Sequence, residues 1–338
     1  MNSILKEYDN SKILLENLDR TLLNLVNSLL EQKGIRVHQV QTRVKDRESL
    51  ESKITRKNGK YESLSDITDI VGVRIITYFD DEVDQIANMI EKEFTIDRNN
   101  SIDKRKIDSD RFGYRSLHYV ACLKEDRTQL PEYSSCGEQK FEFQIRTILQ
   151  HSWAEIEHGL GYKGEFEIPS SAKRTFYRVA ALLEQADIEF VKLKSTIEEY
   201  EKDVGIGVKE NPSEIEINKA SLISFITKNE NVIRIEDEIA SCDSSLFISE
   251  GNIQTIISDI LINKIKNLGI KNIKEIEDLY LRYEKRFIEE EKVDFVDGEV
   301  FGFERGASII WLVDFLSNLY NLNKGLGTGN IYNHNEVF

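Results

Sequence analysis

The stretch IVGVRIITYF, residues 70–79, decides the fold of the first half of the chain. It is rich in β-branched and aromatic residues and predicts a buried strand. In the segment that follows, apolar residues recur every three or four positions, which predicts an amphipathic helix over residues 81–93. A buried strand followed directly by a helix indicates a domain that contains both element types.

Two further strands are predicted in the same half. Residues 117–123 are mostly apolar, and residues 141–146, FEFQIR, alternate strictly. One face of the second strand carries Phe141, Phe143 and Ile145, and the other carries Glu142, Gln144 and Arg146. We expect the apolar face to join the core and the polar face to be available for chemistry.

The remaining segments have helical periodicity. Residues 3–32 predict one or two amphipathic helices, residues 46–58 a further helix, and the helical period returns from residue 147. Long helical stretches are predicted over residues 170–201, about 217–240, 253–267, 272–290 and 306–321. The pattern predicts an α+β region followed by a mainly α-helical region.

A stretch rich in Gly, Asn and Pro, residues 204–213, predicts a domain boundary. The predicted division is a helical lead (residues 1–34), an α+β domain (35–165), a connecting helix (166–203) and a helical C-terminal domain of unknown role (214–338).

Composition excludes several classes of protein. The chain has 338 residues, 40% of them hydrophobic, and only 3 Pro, which is typical of a folded domain and not of a disordered or collagen-like one. It contains no apolar run long enough for a membrane span and no signal-peptide pattern, so we expect a cytoplasmic protein. Its 3 cysteines form no CxxC motif, which argues against a disulfide framework or a structural zinc site.

Two carboxylates lie where the predicted strands meet their surroundings. Asp69 directly precedes the first strand, and Glu142 lies on the polar face of the alternating one. If these strands are neighbours, the two side chains can share a hard cation such as Mg²⁺. Alternatively, Asp69 caps a turn and Glu142 pairs with a nearby arginine.

A basic segment stands out against the net charge of −15. Residues 33–60 carry nine Lys and Arg against three Asp and Glu, a local charge of +6. Helical spacing would place Lys45, Ser49, Lys53 and Arg56 on one face, where they could bind a triphosphate. The alternative is a solvated helix of mixed charge.

The segment FGYRSLHYV, residues 112–120, offers groups that could bind a nucleotide. Gly113 permits close approach of the backbone to a ligand, and Tyr114 supplies a flat surface on which a base can stack. His118 alternates with Ser116 on the following strand. Alternatively, Tyr114 is a core aromatic residue and His118 is a hydrogen-bonded strand residue.

Together these motifs resemble the synthetase domain of RelA/SpoT-type alarmone synthetases. The matching blocks are RVKDRESLESKITRK (43–57), DIVGVRI (69–75), GYRSLHYV (113–120), FEFQIRT (141–147) and HSWAEIEHGLGYK (151–163). The resemblance covers about residues 35–165 and implies a nucleotidyltransferase-like domain, a mixed β-sheet flanked by helices. It also implies transfer of pyrophosphate from ATP to the 3′-hydroxyl of GDP or GTP.

The resemblance further implies a role for each matching residue. Asp69 and Glu142 would hold Mg²⁺, and Glu142 would also accept the proton of the attacking hydroxyl. Arg43 and Arg74 would sandwich the adenine, while Lys45, Lys53 and Arg56 would neutralise the triphosphate. Tyr114 would stack on the acceptor base, with His118 and Gln144 near the acceptor nucleotide.

Two departures from the family pattern leave the acceptor open. Asp110 stands where a Lys commonly holds the acceptor phosphates, although Arg111 could compensate, and Gly159 and Gly161 replace basic residues. One alternative is therefore a toxin-type relative that pyrophosphorylates the 3′-terminal adenosine of tRNA, although the net charge of −15 counts against tRNA binding. A second alternative is a catalytically silent nucleotide-sensing module.

Two expectations concern the rest of the chain. No histidine is followed by Asp, so the His-Asp dyad of the family's hydrolase domain is absent and no alarmone hydrolysis is expected. The acidic C-terminal helices suggest homo-oligomerisation or intramolecular regulation.

Overall fold

The computed structural model describes residues 2–57, 59–103, 116–137, 139–160, 169–241, 246–249, 253–294 and 301–325. The strands are β1 (Gln39–Val44), β2 (Val71–Thr77), β3 (Phe94–Asp103), β4 (Leu117–Leu123), β5 (Phe141–Thr147), β6 (Leu246–Ser249) and β7 (Phe301–Glu304). The helices are α1 (Asn2–Gln32), α2 (Arg47–Arg56), α3 (Asp80–Glu93), α4 (Glu125–Thr128), α5 (Pro131–Ser134), α6 (Ile148–Gly159), α7 (Ser170–Glu210), α8 (Lys219–Lys228), α9 (Glu230–Ser241), α10 (Ile253–Ile256), α11 (Asp259–Asn267), α12 (Ile273–Asp294) and α13 (Ser308–Gly325). A 3₁₀ turn covers Leu64–Asp66.

The chain divides into two compact units, residues 1–194 and 195–338. The first unit contains a five-stranded mixed sheet in the order β1-β2-β5-β4-β3, and α1 and α3 pack against it. Only β2 and β5 run parallel, while the other neighbouring strands are antiparallel. The α+β class with a mixed sheet, followed by a largely helical C-terminal region, is confirmed. The four-part domain division stays a prediction.

The apolar face of the sheet forms the core of the first unit. Phe141, Phe143 and Ile145 are fully buried, as the alternation of β5 predicted. Phe94 packs edge-on against both phenylalanines, with ring centroids 5.9 Å and 5.0 Å apart. Because Phe141, Phe143 and Ile145 occupy the core face of β5, Glu142 and Gln144 between them face away from the core.

Strand β3 forms one edge of the sheet and is irregular. Its pairing register with β4 shifts between Asp97 and Ile102, around the polar sequence DRNN. The Asp97 carboxylate accepts hydrogen bonds from the backbone N–H groups of Asn99 and Asn100, and it forms an ion pair of 2.7 Å with Lys140. The Asp97 side chain, rather than a neighbouring strand, therefore accepts hydrogen bonds from two backbone N–H groups of this strand.

Several predicted elements need correction. The N-terminal segment is one continuous helix, as one of the two predicted options had it, but the predictions missed β1 and β3. The break predicted at residues 204–213 is helical through Glu210. At Gly207 an added Cβ would lie 2.5 Å from the Ile215 side chain, so the glycine reflects close packing and not a helix end. The helix predicted over about residues 217–240 is divided at Asn229, whose side chain accepts from the N–H groups of Asn231 and Val232 and begins a second helix.

The second unit has its own core. Helices α8, α9, α11, α12 and α13 supply most of its buried residues, and β6 and β7 form a short parallel pair. The fully buried Glu236 accepts hydrogen bonds from the backbone N–H of Gly306 and from the Ser308 hydroxyl, at 2.8 Å and 2.6 Å. This carboxylate ties α9 to the start of α13. Within the described ranges, none of the helices combines the length and the apolar character that crossing a membrane requires.

Replacing Phe143 by Ala tests the assignment of the core face. The change removes a fully buried ring at the centre of the aromatic cluster and should lower the free energy of unfolding by about 3–5 kcal/mol. The control is Ile156→Ala, because Ile156 is 58% exposed and should change stability by less than about 0.5 kcal/mol. Urea denaturation followed by circular dichroism measures both, and equal effects would contradict the core assignment.

Candidate active site

The parallel pairing of β2 with β5 builds the floor of a cleft on the polar sheet face. Gly72 lies opposite Glu142 in the register, and Arg43 of β1 lies opposite Gly72 from the other side. An added Cβ at Gly72 would lie 3.9 Å from the Glu142 carbonyl oxygen and 4.0 Å from Arg43 Cγ. Without a side chain at Gly72, the floor between Arg43 and Glu142 stays open.

Asp69, two residues before β2, is held by two lysines. Its Oδ1 lies 2.6 Å from Lys53 Nζ and its Oδ2 lies 3.1 Å from Lys45 Nζ. Lys53 reaches it from α2, which begins after Asp46, whose side chain accepts the Ser49 N–H. The prediction that Lys45 shares a helical face with Lys53 is therefore wrong, because Lys45 precedes the helix. The two lysines nevertheless meet at the same carboxylate.

These contacts keep Asp69 ionised. Burial alone would raise the pKa of Asp69, but the hydrogen bond from Lys53 and the charge of Lys45 outweigh it, so the pKa lies below its ordinary value. The Asp69 side chain is 25% exposed, which leaves it accessible from the cleft.

Glu142 is held by an imidazole and an amide. Its Oε1 lies 2.8 Å from His118 Nδ1, and its Oε2 accepts a hydrogen bond of 2.8 Å from Gln144 Nε2. Burial would raise the pKa of Glu142, but the hydrogen bonds from His118 and Gln144 lower it below its ordinary value, while the negative charge of Asp69 acts in the opposite direction. Both carboxylates of the cleft are therefore ionised near neutral pH.

The cleft brings together residues from β1, β2, β5 and the segment before β2. Its lining consists of Gln41, Thr42, Arg43, Asp69, Gly72, Val73, Arg74, Glu142 and Gln144. Arg74 is oriented by Glu155 of α6, with Nη1 and Oε1 3.1 Å apart. The cleft thus combines two anionic and two cationic side chains around one opening.

The other predicted residues have different positions. Arg56 is exposed at the last position of α2. His118 and Gln144, expected near an acceptor nucleotide, contact Glu142. Arg111 and Tyr114 lie outside the described residues, and their roles stay predictions.

Sequence reasoning missed three residues beside the cleft. Arg146 is 3% exposed and donates a hydrogen bond of 2.9 Å to Gln144 Oε1. Its position on the polar face of β5 could have indicated it. Glu155 contacts Arg74 from a distant element, and no local pattern indicates that. Burial lowers the pKa of the His151 imidazole, and the positive charges of Arg146 and Arg74 lower it further.

The donor set of the cleft fits a magnesium ion. Asp69 and Glu142 offer ionised oxygens, the ligands that Mg²⁺ prefers, and Mg²⁺ commonly takes one or two carboxylates together with waters and substrate phosphates. In the part of the chain that the structure describes, no cluster of three or more His, Cys, Asp or Glu could hold a metal by itself.

The first half of the chain is similar to known proteins. Residues 42–167 match the family model described as the region found in RelA / SpoT proteins. The GTP pyrophosphokinase YjbM of Bacillus subtilis (strain 168) is 31% identical over 162 residues, which cover 46% of this chain and 72% of that protein. The GTP pyrophosphokinase YwaC of the same organism is 28% identical over 165 residues, 48% of this chain and 76% of that protein.

Among solved structures, small alarmone synthetase 1 from Bacillus subtilis superposes with a TM-score of 0.49 at 25% identity, covering 57% of this chain and 98% of that one. The same synthetase bound to pppGpp gives 0.48 at 24% identity, with coverage of 57% and 98%. The motifs quoted above occupy the region of the family match, and the YjbM alignment spans most of that relative. The chain therefore belongs to the RelA/SpoT family.

Proposed function

We propose that this chain is a GTP pyrophosphokinase that transfers the β,γ-pyrophosphate of ATP to the 3′-hydroxyl of GDP or GTP. One observation carries the proposal: Asp69 and Glu142 line one cleft with Arg43 and Arg74. The names of the two matched relatives support the same reaction. The silent sensing module is not favoured, because both carboxylates are retained and ionised.

ATP would occupy the cleft with its base near the two arginines. Arg43 and Arg74 line the same opening, and Glu155 holds the guanidinium of Arg74. Guanidinium groups stack well on planar rings. Lys45 and Lys53 would then transfer their hydrogen bonds from Asp69 to the triphosphate, with Arg56 at the exposed end of α2 as a further cation.

Asp69 and Glu142 would hold Mg²⁺, which supplies charge neutralisation at the phosphate oxygens. The acceptor 3′-oxygen attacks the β-phosphorus, the bond from that phosphorus to the α–β bridging oxygen breaks, and AMP leaves. Glu142 accepts the proton of the attacking hydroxyl. Phosphoryl transfer of this kind depends mainly on positioning and electrostatic stabilisation, which a preformed cleft lined by charged side chains provides.

Product analysis tests the reaction and its acceptor. Purified protein with γ-labelled ATP and Mg²⁺ should move label into the guanine nucleotide when GDP or GTP is added, with release of AMP, as thin-layer chromatography would show. A parallel sample with deacylated tRNA should stay unlabelled. Label in tRNA would overturn the proposed acceptor, and no transfer in any sample would overturn the proposed activity.

Isosteric changes at the two carboxylates should abolish transfer. Asp69→Asn and Glu142→Gln remove a charge from the cleft without changing side-chain size, and each should lower kcat at least about 100-fold. Glu132→Gln, on exposed α5, is the control and should leave kcat unchanged. Near-normal turnover in either cleft variant would contradict the assignment of that carboxylate.

Lys53 provides a test of triphosphate binding. A charge-assisted hydrogen bond contributes about 1.5–3 kcal/mol, so Lys53→Met should raise the KM for ATP at least about 10-fold. The matched control is Lys57→Met, because Lys57 is an exposed lysine at the end of the same helix and lacks the contact with Asp69. Steady-state kinetics with varied ATP measures both, and equal KM values would show that Lys53 does not reach the phosphates.

The family resemblance implies that Tyr114, Arg111, His118 and Gln144 act at the acceptor nucleotide, although His118 and Gln144 contact Glu142. Tyr114→Ala should raise the KM for GDP or GTP more than the KM for ATP, because a stacked base is worth about 1–3 kcal/mol. A defect confined to the KM for ATP would show that the stacking role is misplaced.

Homo-oligomerisation and regulation through the C-terminal helices also stay predictions.

A further inference from the structure

A line of hydrogen bonds runs along the polar face of β5 and ends on Glu142. The contacts are Arg146 Nη2 to Gln144 Oε1 at 2.9 Å, Gln144 Nε2 to Glu142 Oε2 at 2.8 Å, Glu142 Oε1 to His118 Nδ1 at 2.8 Å, and His118 Nε2 to Ser116 Oγ at 2.7 Å. Alternate residues of a strand lie on one face about 7 Å apart, so side chains at positions 142, 144 and 146 can be linked end to end.

The chemistry of Arg146 and Glu142 fixes the direction of the three bonds that involve Gln144 and Glu142. A guanidinium can only donate, so Arg146 requires the oxygen of the Gln144 amide to face it. The NH₂ of Gln144 must then point at Glu142, and an ionised carboxylate can only accept. For the same reason His118 carries its proton on Nδ1 and donates it to the other oxygen. Both branches therefore converge on Glu142.

We propose that Arg146 is a positioning residue of the transfer reaction, acting through Gln144 to fix the orientation of the Glu142 carboxylate. The inference rests on the proposed function of the cleft. It gives Gln144 a structural link to Glu142 in place of direct contact with the acceptor nucleotide.

Glu142 and Gln144 need an anchor because their terminal groups can rotate. The terminal torsion of Glu or Gln has a broad, roughly two-fold distribution, so neither group holds one orientation by itself. Arg146 is 3% exposed and its guanidinium is confined among packed groups, which makes it a rigid anchor. Without it, the Gln144 amide can turn its oxygen toward Glu142, which removes the donor and places two acceptors face to face.

Kinetics of a double-mutant cycle test the proposal. Arg146→Met should lower kcat about 10- to 100-fold while each KM changes less than 3-fold, since misplacement by about 1 Å can cost a factor of this size. Gln144→Met should give the same loss, and the double variant should be no worse than either single one. Arg146→Lys retains a donor and should recover most of kcat. The control Arg127→Met removes a half-buried arginine paired with Glu93 and should leave kcat unchanged.

The cycle also shows what would overturn the inference. Losses that multiply in the double variant would mean that Arg146 does not act through Gln144. A raised KM for GDP or GTP in Gln144→Met, with kcat intact, would mean that Gln144 binds the acceptor directly. If Arg146→Met does not fold, Gln144→Glu in the otherwise unchanged chain decides, because Glu cannot donate to Glu142. It should lower kcat more than Gln144→Met, and an unchanged kcat would overturn the proposal.

A spectroscopic measurement separates this inference from the proposed reaction. In a ¹H–¹⁵N correlation spectrum, the Gln144 side-chain NH₂ signal is identified by its loss in Gln144→Met. It should be shifted downfield by the carboxylate in the wild-type chain and move to an ordinary position in Arg146→Met. An unmoved signal would overturn the inference even if transfer occurs. A moved signal in a chain that transfers no label would leave the hydrogen-bond line in place and overturn only the reaction.

Discussion

The parallel pairing of β2 with β5 is the constraint on which the cleft depends. It places Gly72 beside Glu142, and Asp69 lies two residues before β2, so two carboxylates separated by more than seventy residues in sequence approach one opening. Both strands bury their apolar faces in the core of the first unit, which leaves their polar faces to the cleft. Two further elements complete the cleft around this pair. Strand β1 pairs with β2 and contributes Arg43, and α2 carries Lys53, which contacts Asp69.

The charges of the cleft are balanced before any nucleotide binds. Lys45 and Lys53 neutralise Asp69, whereas Glu142 relies on the imidazole of His118 and the amide of Gln144. The two carboxylates therefore differ in what a ligand must displace. At Asp69 a bound cation would replace two ammonium groups, which could move to phosphate oxygens. At Glu142 the imidazole and amide donors could stay in place, since each carboxylate oxygen has a second lone pair.

Much of the fold could be predicted because the periodicity of apolar residues in the sequence matches the side chains that are buried in the structure. The alternation of residues 141–146 identified both the core face and the chemical face of β5. The strands β1 and β3 were missed because their sequences, QVQTRV and FTIDRNNSID, are polar and lie at the two sheet edges, where only one side is paired. Contacts such as Arg74 with Glu155, and His118 with Glu142, depend on tertiary geometry that no local period encodes. The family resemblance supplied the proposed roles of Asp69 and Glu142, but not the side chains that contact them.

The irregular strand β3 has a consequence for how the protein behaves in a crowded solution. A sheet edge with regular, unpaired N–H and C=O groups is a template on which another chain can form a strand. In β3 the register shift after Asp97 interrupts that template, and the side chain of Asp97 occupies the N–H groups of Asn99 and Asn100. Charged side chains and bulges are common protections of edge strands. The irregular, polar part of β3 should therefore make this sheet edge a poor template for aggregation.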